Sequence, residues 1–387
     1  MNKIRFPFET PPAEGEAIDI APGIKWLRLP LPMKLDHVNI YALEDGDGWC
    51  IIDSGFYSKR MVKTWGKILT EALGGKPVTR ILVTHHHPDH VGMAGWLQSE
   101  HGAELVSTRT SWLFARMLLL DNQATPTPET IAFYESAGMD PEIVEERRTQ
   151  KPFNYADIVH PMPLGFRRIQ QGDTLKIGAR TFDVHIGNGH APEHATLWSR
   201  DDNIVIAGDQ ILPGISPNLG VYATEPDADP VDGWLEACER FAAMATEDHF
   251  VLPGHKLPFT GLPSRMRQLI DNHHGALARL REHVAQSPCT AAECFPPLFK
   301  RKIDGGTYGL ALVEAVAHLN HMYRLGEVAR ARRSDGAAKR NSGRDGHAAR
   351  DPDAPRHATF RACLRWGRIF VRVLQLHVVR GHGRRCI

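Results

Sequence analysis

The run Thr84-His85-His86-His87-Pro88-Asp89-His90 constrains this chain more than any other stretch, because it stands directly behind the apolar segment RILVT. A buried strand that breaks into a loop delivers its next side chains rigidly at the mouth of a sheet, and alternation sends His85 and His87 the same way. Asp89 and His90 follow on the turn into a helix. Four potential ligands within six residues exceed what one tetrahedral ion needs when further donors lie elsewhere. They do. His190 and His194 come in GNGHAPEH behind TFDVHIG, Asp209 ends IVIAGD, and His255 ends FVLPGH. His190, Asp209 and His255 each come behind an apolar strand and neighbour a glycine. The sequence therefore predicts donors from four loops on one sheet rim, built to hold two divalent metal ions. Zinc is the default for histidines mixed with carboxylates, with iron and manganese chemically compatible.

The segments between these motifs read as alternating layers. IKWLRLPL, VNIYALEDG and GWCIIDSG are strands of an antiparallel meander. Residues 61–73 have helical apolar spacing, stopped by Gly74 and Gly75, and VTRILVTH is the next strand. A helix after His90 carries Met93, Trp96 and Leu97 inward; the strand AELVST and a helix over 112–120 follow. Residues 121–160 are polar and proline-bearing, with two helices around TPETIAFYESAG and DPEIVEERR. So long an excursion reads as a lid, and with Trp112, Phe114 and Met117 as its apolar lining the insertion spans 111–160. Strands resume with DTLKIGARTFDVHIG, ATLWSR and NIVIAGD, then a helix over 231–244 and the strand FVLPGH. From Ser264 three short helices are expected, the last with Leu312, Val316, Leu319 and Tyr323 along one face. The division that follows is a catalytic domain over 1–262, a small helical module over 263–331, with a winged helix among its options, and a basic tail over 332–387 expected to be poorly ordered.

The HxHxDH run, the later GHxPxH, the GD and the PGH resemble the metallo-beta-lactamase-fold hydrolase superfamily. Within it the resemblance leans toward the glyoxalase-II-like and small beta-lactamase-like hydrolase branches, over residues 20–260. It implies an α/β fold, an αββα sandwich of two mixed sheets with outer helices and metals at one edge. It also implies that His85, His87 and His190 hold one metal, that Asp89, His90 and His255 hold the second, and that Asp209 bridges them. His194 and Asp53 would support the ligands from behind, and His86 occupies the variable slot. Where the glyoxalase II pattern has GHTPGH this chain has GHAPEH, so Glu193 places a charge near the site and weakens a direct assignment to hydroxyacylglutathione hydrolysis.

The expected activity is binuclear metal-dependent hydrolysis, in which a metal-bridged hydroxide attacks a thioester, ester or similar acyl bond. Asp89 and Asp209 are then the catalytic carboxylates, and Asn218 and Tyr222, in the loop 213–222, are candidate substrate-binding residues. No G-x-S-x-G elbow is present, which counts against a serine hydrolase. One rival is a mononuclear-iron sulfur dioxygenase, which would use His85, His87, His190 and Asp209. The other is a metal-dependent nuclease, favoured only by the basic end. From Arg324 onward sixteen Lys/Arg face five Asp/Glu, a net of +11. The formal total of +1 thus leaves −10 on the preceding residues, a poor surface for a polyanion. A small-molecule substrate is expected, nucleic acid is not, and a homodimer stays open. No apolar stretch reaches the roughly eighteen residues of a membrane span, and the N-terminus lacks a secretory pattern. Six scattered cysteines read as reduced thiols of a cytoplasmic protein. Of these only Cys289 and Cys294 stand close, without the companion pair of a zinc knuckle.

Overall fold

Alternation along the strands decides which layer each residue feeds. A computed structural model of the chain describes residues 3–332 and 369–373. Among them, one sheet runs in the order β1 (Ala17–Ala21), β2 (Ile24–Pro30), β3 (His37–Asp45), β4 (Gly48–Ile52), β5 (Val78–Leu82), β6 (Glu104–Ser107), β7 (Arg167–Arg168). The first four strands form the expected antiparallel meander, and β4 through β7 pair in parallel. The second sheet stacks β8 (Thr174–Ile177), β9 (Arg180–Gly187), β10 (His194–Ser199), β11 (Ile204–Gly208) and β12 (Phe250–Pro253), antiparallel except for β11 with β12. Tyr41, Leu43, Cys50, Ile52 and Leu82 of the first sheet meet Val184, Leu197, Ile206 and Leu252 of the second in the inter-sheet core. Their neighbours Ile40, Ala42, Ile51 and Ile81 face outward. Both sheets are mixed, and helices cover both outer faces.

On the first sheet α1 (Lys59–Lys67) and α3 (Ala94–His101) supply Met61, Trp65 and Leu97 to the outer core, while α2 (Pro88–Val91) and α4 (Arg109–Leu120) lie at the site end. The excursion forms α5 (Pro128–Ser136) and α6 (Pro141–Thr149). On the second sheet α7 (Pro230–Met244) and α8 (Leu262–Gln286) are followed by α9 (Phe295–Leu298) and α10 (Gly305–Arg324). Trp234 and Phe241 of α7, Leu277 and Leu280 of α8 and Leu312 of α10 share one core with Val205 and Val251 of the sheet. Each such burial contributes roughly 1.5–3 kcal/mol. Ile131, Phe133, Met139 and Val144 of the excursion enter that same core, so the excursion is anchored by the C-terminal helices.

Three features depart from the sequence-based expectation. Two of the C-terminal helices are long, 25 residues for α8 and 20 for α10. Tyr323, expected on the inner face of α10, is 45% exposed and lies under the Arg330 guanidinium, 4.3 Å from the ring centroid. The helices are also followed by an antiparallel pair, β13 (Val328–Arg332) with β14 (Ile369–Val373). The poor order expected of the tail 332–387 otherwise falls outside the described residues. No helix among the described residues is long and apolar enough to cross a membrane.

Candidate metal centre

The histidine run leaves β5 at Leu82 and reaches the site as a loop, Val83 donating its N–H to Val106 O at 3.0 Å. Strand geometry therefore stops short of His85, yet the rings of His85 and His87 still lie 4.6 Å apart. Pro88 opens α2, whose fixed φ suits a first helical position, and Asp89 and His90 sit on its one turn. Asp53, at the end of β4, ties this loop down from a left-handed backbone with φ of 62°. Its carboxylate accepts the Thr84 N–H at 2.8 Å and the Thr84 hydroxyl at 2.8 Å, and faces His90 Nδ1 at 2.8 Å. The Ser54 hydroxyl donates to His90 O at 2.8 Å.

The remaining donors come from the other sheet. His190 lies in the turn between β9 and β10, Asp209 follows β11 and His255 follows β12. The turn at Gly254 passes so near the site that a Cβ there would stand 2.2 Å from Asp209 Oδ1 and 2.8 Å from His90 Cε1. Only glycine permits that approach. Asn39, buried in β3, accepts from Trp26 Nε1 at 3.0 Å and donates to Pro253 O at 2.9 Å and Lys256 O at 2.8 Å, and Tyr41 donates to Pro253 O at 2.9 Å. Polar side chains of the first sheet thus hold the His255 loop of the second.

All seven residues named as ligands converge. His85, His87 and His190 form one set of donor atoms lying within 4.8 Å of one another; Asp89, His90 and His255 form another; His85, His90 and Asp209 form a third between them. Asp209 Oδ2 is 3.5 Å from His190 Nε2 and 3.2 Å from His255 Nε2, and its Oδ1 is 3.4 Å from His90 Nε2. Asp89 Oδ2 reaches His255 Nε2 at 3.3 Å and His90 Nε2 at 3.6 Å. Burial opposes charge on His255, but Asp209 and Asp89 outweigh it and hold its pKa up at about 9. His90 is raised in the same way against its own burial. Burial, followed by the neighbouring rings, drives His85 and His87 the other way, well below the ordinary value. The nitrogens His85 Nε2, His90 Nε2 and His190 Nε2, with Asp209 Oδ1, are buried without a hydrogen-bond partner. Buried polar atoms are rarely left so. Two carboxylates among crowded imidazole lone pairs fit divalent cations, and such clustered sets are typical of metal-dependent hydrolases of this fold.

Around this centre the supporting residues take definite places. His194 accepts the Asp209 N–H through Nε2 at 3.1 Å and stacks on His85 with centroids 4.5 Å apart. His86 turns to Phe114, its ring 5.0 Å away, and its carbonyl accepts the Tyr155 hydroxyl. Glu193 points its carboxylate at the first turn of α4, accepting the Thr110 N–H at 2.7 Å. A helix N-terminus is a favourable seat for that charge. Asn218, expected to orient a substrate carbonyl, spends its amide on Leu310 O at 3.1 Å and Glu314 Oε2 at 2.8 Å, while its own carbonyl faces His190 Nδ1 at 2.9 Å. Tyr222 is 50% exposed on its loop. Of the expected lining, Phe114 lies against the His86 ring and Met117 is exposed, whereas Trp112 stacks on Phe166 at 4.7 Å. Sequence reasoning missed His37, whose carbonyl faces His255 Nδ1 at 2.6 Å, together with Thr84 and Asn39. Thr84 stood at the head of the histidine run, and Asn39 left a signal too, a carboxamide inside the apolar run VNIYAL.

Known proteins repeat this architecture. The Metallo-beta-lactamase superfamily matches residues 33–255, and the Metallo-beta-lactamase-like, C-terminal domain matches residues 277–341. A beta-lactamase domain protein from Burkholderia ambifaria is 38% identical with a TM-score of 0.79, covering 86% of this chain and 96% of its own. A metallo-beta-lactamase family protein from Thermus thermophilus is 25% identical with a TM-score of 0.68, covering 81% of this chain and 97% of its own. A linear primary-alkylsulfatase from a Pseudomonas species is 21% identical over 256 residues, 63% of this chain; the chain spans less than half, 46%, of that relative's length. With the superfamily match over more than half of its length, the chain belongs to the metallo-beta-lactamase superfamily.

Proposed function

We propose that the chain hydrolyses a thioester, ester or similar acyl bond with two divalent cations, zinc being the first choice for this donor set. The observation that carries this reading is Asp209, whose carboxylate stands within 3.5 Å of nitrogens from both histidine sets. His85, His87 and His190 would hold one cation, Asp89, His90 and His255 the other, and Asp209 both. When bound, such a pair supplies Lewis acidity toward a carbonyl oxygen and lowers the pKa of water. The protein's part is to hold protons at chosen atoms. The carbonyls of Asn218 and His37 accept from Nδ1 of His190 and His255, so that with a cation bound each ring would turn its Nε2 lone pair to the centre. Asp53 does the same for His90. Asp89, the more exposed of the two carboxylates, would orient an incoming water and take its proton, a reading that its exposure supports.

Phe114 and Met117, with the insertion 111–160, cover the approach and limit water there; Tyr222 remains the candidate for substrate contact. The same reading divides the chain into a catalytic domain 1–262, a helical module 263–331 and a basic tail 332–387. Reduced, buried Cys50, Cys238, Cys289 and Cys294 support a cytoplasmic setting. A sulfate ester is the second reading, favoured by the similarity to the linear primary-alkylsulfatase.

A hydrolysis screen on metal-defined protein tests this, with thioesters, esters, lactones, beta-lactams, phosphodiesters and alkyl sulfates side by side. Expected are at least two metal ions per chain, turnover of an acyl substrate, and a loss of about a hundredfold or more in kcat for Asp89→Ala with an unchanged circular dichroism spectrum. One ion or none per chain would sink the binuclear reading, and turnover of alkyl sulfates alone would replace the acyl substrate.

A further inference from the structure

Cys289 and Cys294 have no paired partners in the sequence, but the fold gives them a third donor. His283 lies in the last turn of α8, Cys289 in the loop that follows, and Cys294 on the turn Ala292–Cys294. Their donor atoms all fall within 4.8 Å of one another, and the two sulfurs are 3.5 Å apart. Both cysteines are buried, at 4% and 0% exposure, while His283 is half-buried at the helix end. A disulfide would bring the sulfurs to about 2.05 Å. Two thiolates on one tetrahedral ion, each about 2.3 Å from it, stand about 3.8 Å apart. The observed separation lies near the second value, and the imidazole supplies a third corner. This set shares no residue with the hydrolytic centre, which contains no sulfur donor.

We propose that His283, Cys289 and Cys294 form a separate binding site for one thiophilic divalent cation, such as zinc, with a water in the fourth position. Thiolate and imidazole donors are the combination that zinc and cobalt prefer. The segment so clipped is the one that braces the excursion: Ala292 donates its N–H to Ala137 O at 3.1 Å, and Thr290 packs on Gly138. A cation there would fasten the end of α8 to the support of α5 and α6, so its role is structural.

Cobalt(II) titration of the reduced full-length protein reads this site separately, because thiolate-to-cobalt charge transfer in the near ultraviolet cannot arise from a histidine and carboxylate centre. The expected result is that band, saturable and missing in both Cys289→Ser and Cys294→Ser. His283→Ala, a change at a half-exposed helix end that leaves both thiols in place, carries the test if the buried serine variants fail to fold. It should weaken cobalt binding by at least the roughly 10–100-fold that loss of a supporting partner costs. The proposal is overturned if reduced wild type gives no charge-transfer band, if the band persists in Cys289→Ser, or if His283→Ala binds as wild type does. Recovery of Cys289 and Cys294 as a disulfide from protein purified with reductant would overturn it too.

Discussion

Asp53 occupies a backbone conformation that L residues avoid, at a cost on the order of 1 kcal/mol, and it does so to aim both carboxylate oxygens at the histidine loop. Asparagine tolerates the same conformation but presents an N–H₂ group where Thr84 and His90 also donate. Asp53→Asn should therefore leave the fold intact and weaken the cation site that includes His90 by roughly 10–100-fold. Chelator competition measures this, and an unchanged affinity would show that Asp53 does not orient His90. The candidate ligands could be picked out because each is a chemically distinctive side chain behind an apolar strand. Their partners His37 O and Asn218 O could not, because any residue offers a carbonyl and only the fold decides which one meets a ring nitrogen. Glu193 falls between these cases. Its charge could be read from GHAPEH, but its direction, toward the first turn of α4, depends on a helix more than eighty residues away.

At the level of elements, period two in the strands and turn chemistry between them fixed the meander and the order of motifs, whereas the partners of the insertion 111–160 lay beyond any local pattern. Ile131, Phe133 and Met139 look in sequence like the inner face of a surface lid, and their core mates come from α8 and α10 far along the chain. The joint is tight at Gly138, which has φ of +80°, and a Cβ there would stand 2.3 Å from Thr290 Cβ. Gly138→Ala should combine left-handed strain with overpacking, a destabilisation of about 2–4 kcal/mol. That cost falls on the contact between α5–α6 and the 289–294 segment, so hydrogen exchange should accelerate at 128–149 while β3 to β5 stay protected. Equal protection of 128–149 in variant and wild type would mean that the insertion is held by other contacts.

For the molecule as a whole, the outer face of the second sheet decides whether the C-terminal helices are an appendage or part of the body. Leu280 is fully buried among residues drawn from α7, α8, α10 and the sheet. A helical region with a core of its own would keep such a residue among local neighbours, and a cavity there would melt that region alone. In a shared core the loss is felt by every element that lines it, including β11 and β12, whose ends carry Asp209 and His255. Leu280→Ala should cost about 2–5 kcal/mol and lower the melting temperature by several degrees in a single transition. Two probes test this together, the far-ultraviolet circular dichroism of the helices and the release of metal from the centre that Asp209 and His255 line. Coincident midpoints are expected, both displaced by the same amount. A centre that keeps its metals while the helices melt first would instead make residues 263–331 an independent unit, and the route from helix packing to the placement of Asp209 and His255 would be lost.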